Sequence, residues 1–177
     1  MTEATSTASE WTVHYHMPGK IKGRGEFLRL LLEDAGVPYR NTDEGCYTTD
    51  MFQKSHQDIK ETEVDVFPTL YPPMIRHCQP GGETVLINQV GACVVYLGEQ
   101  LGYDPQTSTE RARANAIMLN CMDYIADGRS SFHPVDNKMS YHDQKAQGDA
   151  ASLKFAQTRI VRNCTWLNRV LYVCCWI

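Results

Sequence analysis

A tyrosine, an arginine, a glutamine and a scatter of histidines and cysteines are the side chains in this sequence whose type and setting suit chemistry. Tyr15 closes the run Trp-Thr-Val-His-Tyr. A phenol is protonated at neutral pH, so a group of this kind offers a hydrogen-bond donor rather than a negative charge. Arg24 stands in a glycine- and lysine-rich loop just before an apolar segment. There a guanidinium either stabilises an anion or lies in solvent beside Lys20 and Lys22. Gln89 and Val90 open a second apolar segment, and a helix starting there would present unpaired N–H groups and the positive end of its dipole to a carboxylate. The plainer alternatives are a core tyrosine and a polar residue at a helix start. His14 and His16 share one face of the first run, but no His/Cys pair has the spacing of a zinc site, so no metal is expected. The loop from Pro18 to Gly25 lacks the GxxxxGK spacing of a phosphate loop.

Holding these groups in place falls to the rest of a 177-residue chain with 42% hydrophobic and 21% charged residues, a composition typical of globular proteins. Such a length buries about 70% of the unfolded surface and allows one domain plus a fragment, or two small domains. The 17 basic residues against 21 acidic ones give a net charge of −4, with no electrostatic footprint for a polyanion, so nucleic acid is not an expected partner. Seven cysteines (Cys46, Cys78, Cys93, Cys121, Cys164, Cys174 and Cys175), odd in number and without a CxxC, suit reduced thiols in a cytoplasmic setting. Met1 to Glu10 is rich in Thr, Ser, Ala and Glu and reads as a short disordered leader; no run approaches the roughly 18 apolar residues of a membrane span, so no membrane partner is expected.

Alternation from Trp11 to Met17 predicts a first strand, with Val13, Tyr15 and Met17 on one face and Thr12, His14 and His16 on the other. Glu26 to Ala35 then predicts a helix, because Glu26, Arg29 and Glu33 mark one exposed face and Gly36 supplies a stop. Val37 to Thr42 is a second strand closing a βαβ unit. A loose helix is expected around Asp50 to Lys60. Met74 to His77 and Thr84 to Asn88 are strands joined by a turn rich in Gly and Pro, and Val90 to Leu101 is a helix ended by Gly102. Thr107-Ser-Thr-Glu110 reads as a capping box. It opens a long helix with Ala114, Ile117, Met118, Cys121, Met122 and Ile125 as its stripe, ending before Gly128. Beyond a polar stretch, a last helix runs from about Ala150 past Arg169 with Leu153, Ala156, Ile160, Leu167 and Leu171 on one face. The elements therefore read as an α/β βαβ-α-ββα unit over residues 11–102, a linker over 103–107 and an all-α region over 108–177, an order that resembles a thioredoxin-like domain with a mixed sheet followed by a helical domain.

Three ordered segments resemble the Tyr-type cytosolic classes of the glutathione S-transferase superfamily (pi, alpha, mu and sigma). Val-His-Tyr15, followed by Arg24 and Glu-Phe-Leu-Arg-Leu-Leu-Leu-Glu-Asp-Ala-Gly36, is similar to the strand-end tyrosine and first helix of those enzymes. Pro72-Pro73-Met-Ile75 is similar to the segment that holds their cis-proline, with Pro68 as a more distant candidate. Val-Leu-Ile-Asn-Gln89-Val90, leading into a helix that ends Leu-Gly102, is similar to their Gln-Ser/Thr turn.

The resemblance implies a protein that binds reduced glutathione as cosubstrate and conjugates it to a small electrophile in detoxification, as a cytoplasmic homodimer and without a metal. It implies that Tyr15 is catalytic, donating to the glutathione sulfur. Each unit taken from a thiol pKa of about 8.5 corresponds to about 1.4 kcal/mol, so one charge-assisted bond of about 1.5–3 kcal/mol supplies one to two units. It implies glutathione-binding roles for Tyr15, Arg24, Pro72, Pro73, Gln89 and Val90, and makes Tyr124 and Phe132 candidates for the electrophile site. Pro72 lacks an N–H, leaving only its carbonyl for the cysteinyl part of glutathione. Val90 lacks a hydroxyl, which weakens binding by about 1 kcal/mol. Enzymes of this family continue through several more helices, so the helical region is expected to be incomplete and to expose apolar surface. The alternative is a non-catalytic binding module of the same fold.

Overall fold

The computed structural model describes residues 9–15, 22–41 and 71–174. The helix expected around Asp50 to Lys60, together with His16, Met17 and Pro68, lies outside the described residues. Contacts divide the chain into two units, Met1–Arg111 and Ala112–Ile177.

In the first unit β1 (Glu10–His14) is followed by α1 (Gly25–Asp34), β2 (Tyr39–Asn41), β3 (Met74–Cys78), β4 (Thr84–Asn88) and α2 (Val90–Gln100). The strands form a mixed sheet in the order β2-β1-β3-β4, with β1 and β2 parallel and the other two pairings antiparallel. This is the thioredoxin-like arrangement. β1 starts one residue before the expected boundary because Glu10 has a pairing partner in Cys78. Trp11, Val13 and Ile75 on one sheet face pack with Leu28 and Leu32 of α1 and Cys93 and Leu97 of α2 to form the core. The apolar residues of both helices recur at three and four positions, as a buried helical face requires.

Two histidines are built into this sheet. His77 is 2% exposed, stacks on the Trp11 indole at 3.6 Å between ring centroids, and shares a 2.8 Å hydrogen bond between its Nδ1 and the Tyr96 hydroxyl. His14 is also buried, and neither of its ring nitrogens has a hydrogen-bond partner. Desolvation, with Arg76 nearby, lowers the His14 pKa to about 4; burial lowers that of His77 as well.

The second unit is helical. α3 (Ser108–Phe132), which begins in the first unit, opens with the expected capping box: the Glu110 N–H donates to Thr107 Oγ1 at 3.2 Å and the Thr107 N–H to Glu110 Oε2 at 3.1 Å. α3 runs through Gly128 instead of stopping before it, with the Phe155 ring in ordinary contact 3.5 Å from the position of a Cβ. In the polar stretch after it, one buried side chain gathers several backbone groups. Gln144, 1% exposed, accepts from the N–H groups of Val135 (2.9 Å) and Asp136 (3.3 Å) and donates to the carbonyls of Asp136 (2.9 Å) and Met139 (3.2 Å). α4 (Lys145–Phe155) then passes through a π-helical turn at Ala156–Ile160 into α5 (Val161–Cys174). The last helix therefore starts earlier than expected, and the extra residue of the π turn rotates its inner face. Leu153 and Leu171, both expected on the apolar stripe, are 60% and 62% exposed.

An unfolded histidine titrates near pH 6.5, so between 6.5 and about 4 the unfolded chain binds a proton that the folded His14 does not. Stability contributed by neutral His14 is full above pH 6.5 and falls through that window by about 3 kcal/mol. Urea unfolding followed at the Val13 and Ile75 amides will show this acid loss in the native chain and a much smaller one in His14→Leu. Equal losses in both would contradict it.

Candidate functional site

Register assembles the site. His14, Met74 and Asn88 form one row across β1, β3 and β4. The next residue on each strand toward the same sheet end is Tyr15, Pro73 and Gln89. Adjacent strands lie about 4.8 Å apart, so these three occupy a line about 10 Å long.

Tyr15 is 9% exposed, and its side chain is held by the start of α1. The Arg24 backbone N–H donates to its hydroxyl at 3.0 Å. Gly23 and Gly25 lie against the ring: a Cβ on Gly23 would come within 2.4 Å of the hydroxyl oxygen, and one on Gly25 within 2.6 Å of Cγ. Gly23 also has φ +45°, a conformation L side chains rarely adopt. The sequence contains this cradle as Gly-Arg-Gly, but it reads there as polar loop. Arg24 thus meets Tyr15 through its backbone amide.

The Pro72–Pro73 bond is cis, and Pro73 is buried where β3 begins. Its carbonyl lies 3.9 Å from the Cys93 sulfur, and the Cys93 thiol donates to the Ile87 carbonyl at 3.1 Å. Burial pushes the Cys93 thiol up to about 12, so it acts as a packing group and hydrogen-bond donor that ties α2 to the strand ends.

Gln89 has φ 71° and ψ 120°, the one positive φ at a non-glycine position among the described residues. Strain of this kind amounts to about 1–3 kcal/mol and collects at functional sites. It turns the chain sharply from β4 into α2 and leaves the Gln89 side chain exposed, while Val90 is 1% exposed with its side chain in the core. The first intrahelical bond of α2 runs from the Cys93 N–H to the Gln89 carbonyl, at 2.9 Å. The N–H groups before it belong to the open first turn.

Tyr15, Pro72–Pro73, Gln89 and Val90 thus share one end of the sheet, with the Arg24 amide beside Tyr15. In the helical unit Tyr124 stacks on Phe155 at 5.5 Å, and Phe132 meets Tyr141 edge-on at 6.2 Å. Among the described residues no group of three or more His, Cys, Asp or Glu is arranged to hold a metal ion, and no helix is long and apolar enough to cross a membrane.

No family model and no curated protein sequence matches the chain. Solved structures do. A sigma-class glutathione S-transferase from Fasciola hepatica is similar with a TM-score of 0.56 at 18% identity, over 85% of this chain and 61% of that one. A glutathione S-transferase from Caenorhabditis elegans gives 0.50 at 16% identity, over 84% and 66%. A Nu-class enzyme from Haemonchus contortus gives 0.48 at 19% identity; this chain spans 52% of its length. The fold resembles that of these glutathione S-transferases, a thioredoxin-like sheet domain followed by a helical region.

A methyl group at position 25 must displace the Tyr15 ring from a buried seat. Gly25→Ala is therefore expected to destabilise the chain by about 1–3 kcal/mol. Gly98→Ala, in α2 with open space around it, is expected to be neutral or stabilising by up to about 1 kcal/mol. Urea midpoints of the two variants check this; equal midpoints would refute the cradle.

Proposed function

We propose that this chain is a glutathione S-transferase-like protein that binds reduced glutathione along the row Tyr15–Pro73–Gln89 and transfers its thiolate to a small electrophile. The observation that carries the reading is the row itself. Three residues of an extended peptide span about 10 Å, the same length as two inter-strand steps. The γ-glutamyl carboxylate lies at the first turn of α2, where unpaired N–H groups and the helix dipole favour an anion. With the Val90 side chain in the core, that turn offers its backbone without a hydroxyl. The cysteinyl part runs beside the Pro72 carbonyl as an added strand with one of its two backbone bonds missing.

The thiol then meets Tyr15. The hydrogen bond that the Tyr15 oxygen accepts from the Arg24 N–H orients the phenol and polarises its O–H, making it a better donor to sulfur. The bound thiol loses its proton to solvent water, the thiolate attacks an electrophilic carbon, a C–S bond forms, and the leaving group departs with its electron pair. Proximity and thiolate stabilisation supply the acceleration. In this reading residues 11–102 are the glutathione-binding domain, 103–107 the linker and 108–177 the helical region. A homodimeric state, a cytoplasmic location and a detoxifying role go with the same resemblance.

Retention on immobilised glutathione, measured beside conjugation to an activated aryl halide, tests the reading. Removing one charge-assisted bond raises the bound thiol pKa by one to two units, so Tyr15→Phe should stay on the column and lose about 10- to 100-fold in rate near neutral pH. A native chain that is retained but inactive would be a binding module; one neither retained nor active would overturn the glutathione reading.

A further inference from the structure

Arg29 is the one charged residue of α1 that is buried, at 8% exposure, between Leu28 and Leu32 on the helix's inner face. Its Nε donates to Asn41 Oδ1 at 2.7 Å and its Nη1 to Glu26 Oε2 at 2.9 Å, while Nη2 is buried without a hydrogen-bond partner. An apolar side chain would continue the core face without the penalty of an unpaired, desolvated nitrogen, so packing alone does not account for this arginine.

Its two partners explain more. Asn41 ends β2 and pairs in register with Val13, two residues before Tyr15. Glu26 belongs to the first turn of α1, where its N–H donates to the carbonyls of Lys22 (3.2 Å) and Gly23 (3.3 Å). That turn is the one whose Gly23, Arg24 and Gly25 hold the Tyr15 ring and hydroxyl. No side-chain cap closes it, since Arg24 stands at the N-cap position with helical backbone angles. The planar guanidinium therefore bridges β2, the strand paired with the one that leads into Tyr15, and the helix turn that carries the tyrosine's hydrogen-bond donor. Such a fork fixes two directions at once, which a single ammonium does not.

We infer that Arg29 is a positioning residue, which holds the Arg24 N–H on the Tyr15 oxygen by tying Glu26 of the first turn of α1 to Asn41 at the end of β2. Its effect on catalysis rests on the proposed thiolate role of Tyr15; its effect on the cradle does not. Lys22, 3.8 Å from the other oxygen of Glu26, is exposed and leaves the tie to Arg29.

Two readouts separate these levels in the full chain. Amide exchange is measured at Arg24 and, as internal references, at Val13 and Leu97. In Arg29→Met, and in Glu26→Gln, which cuts the same tie while keeping the buried arginine, Arg24 should exchange at least about tenfold faster with the references unchanged. Arg29→Lys should fail to restore protection. The second readout is the ultraviolet absorbance of the thiolate of reduced glutathione at saturation. The variants should raise its pKa so that kcat falls about tenfold near pH 6.5 and recovers near pH 9, with KM within about twofold. Unchanged Arg24 exchange, or equal acceleration at all three amides, would overturn the inference, leaving Arg29 a stability residue. If the native chain binds no glutathione, the function proposal fails and the exchange measurement still decides the positioning role.

Discussion

One row of sheet register governs this molecule. Because Met74 pairs with His14 on one side and Asn88 on the other, the residues one step beyond them, Tyr15, Pro73 and Gln89, come to the same sheet end. A slip of one residue in either pairing would turn the side chains of that strand to the opposite face and break the row. The core defends the register: Val13 and Ile75 sit directly opposite each other and are fully buried with Leu28, Leu32 and Leu97.

Backbone irregularity gathers at that end of the sheet. The cis Pro72–Pro73 bond, the positive φ of Gln89 and the two glycines against Tyr15 all lie there. The opposite end is filled by the Trp11–His77 stack and its hydrogen bond to Tyr96. The packing around Trp11 and His77 steadies the sheet, and the buried histidines make that scaffold sensitive to acid through their cost of protonation. The helical unit is organised differently. Its best-buried side chain is the amide of Gln144, and much of its aliphatic surface, including Leu119, Val161 and Leu171, is exposed.

Most strands and helices were legible because their signals are local: alternation in β1, the helical spacing of α1 and α2, the reciprocal Thr107–Glu110 cap. Tyr15, Pro73 and Gln89 were singled out by resemblance to a known motif, and the register of β1, β3 and β4 brings them to one sheet end. What the sequence hid depends on partners distant along the chain. Gly23 and Gly25 read as loop until the Tyr15 ring is placed against them. Gly128 read as a stop, yet α3 continues through it to Phe132. His77 looked like any strand histidine, and Arg29 looked like a solvent-facing residue because its spacing from Glu26 and Glu33 suggests an exposed charged stripe. Helical periodicity says which residues share a face; it does not say that a buried guanidinium will find Asn41 there.

The central claim is that this sheet end is one continuous site for an extended thiol tripeptide. An amide-resolved magnetic resonance titration with reduced glutathione tests it most directly. The account predicts saturable shifts at Arg24, Met74 and Val90, one from each element that ends at the row, with Trp11, His77 and Val85 at the far end unmoved. No saturable shift, or shifts confined to the far end, would contradict it.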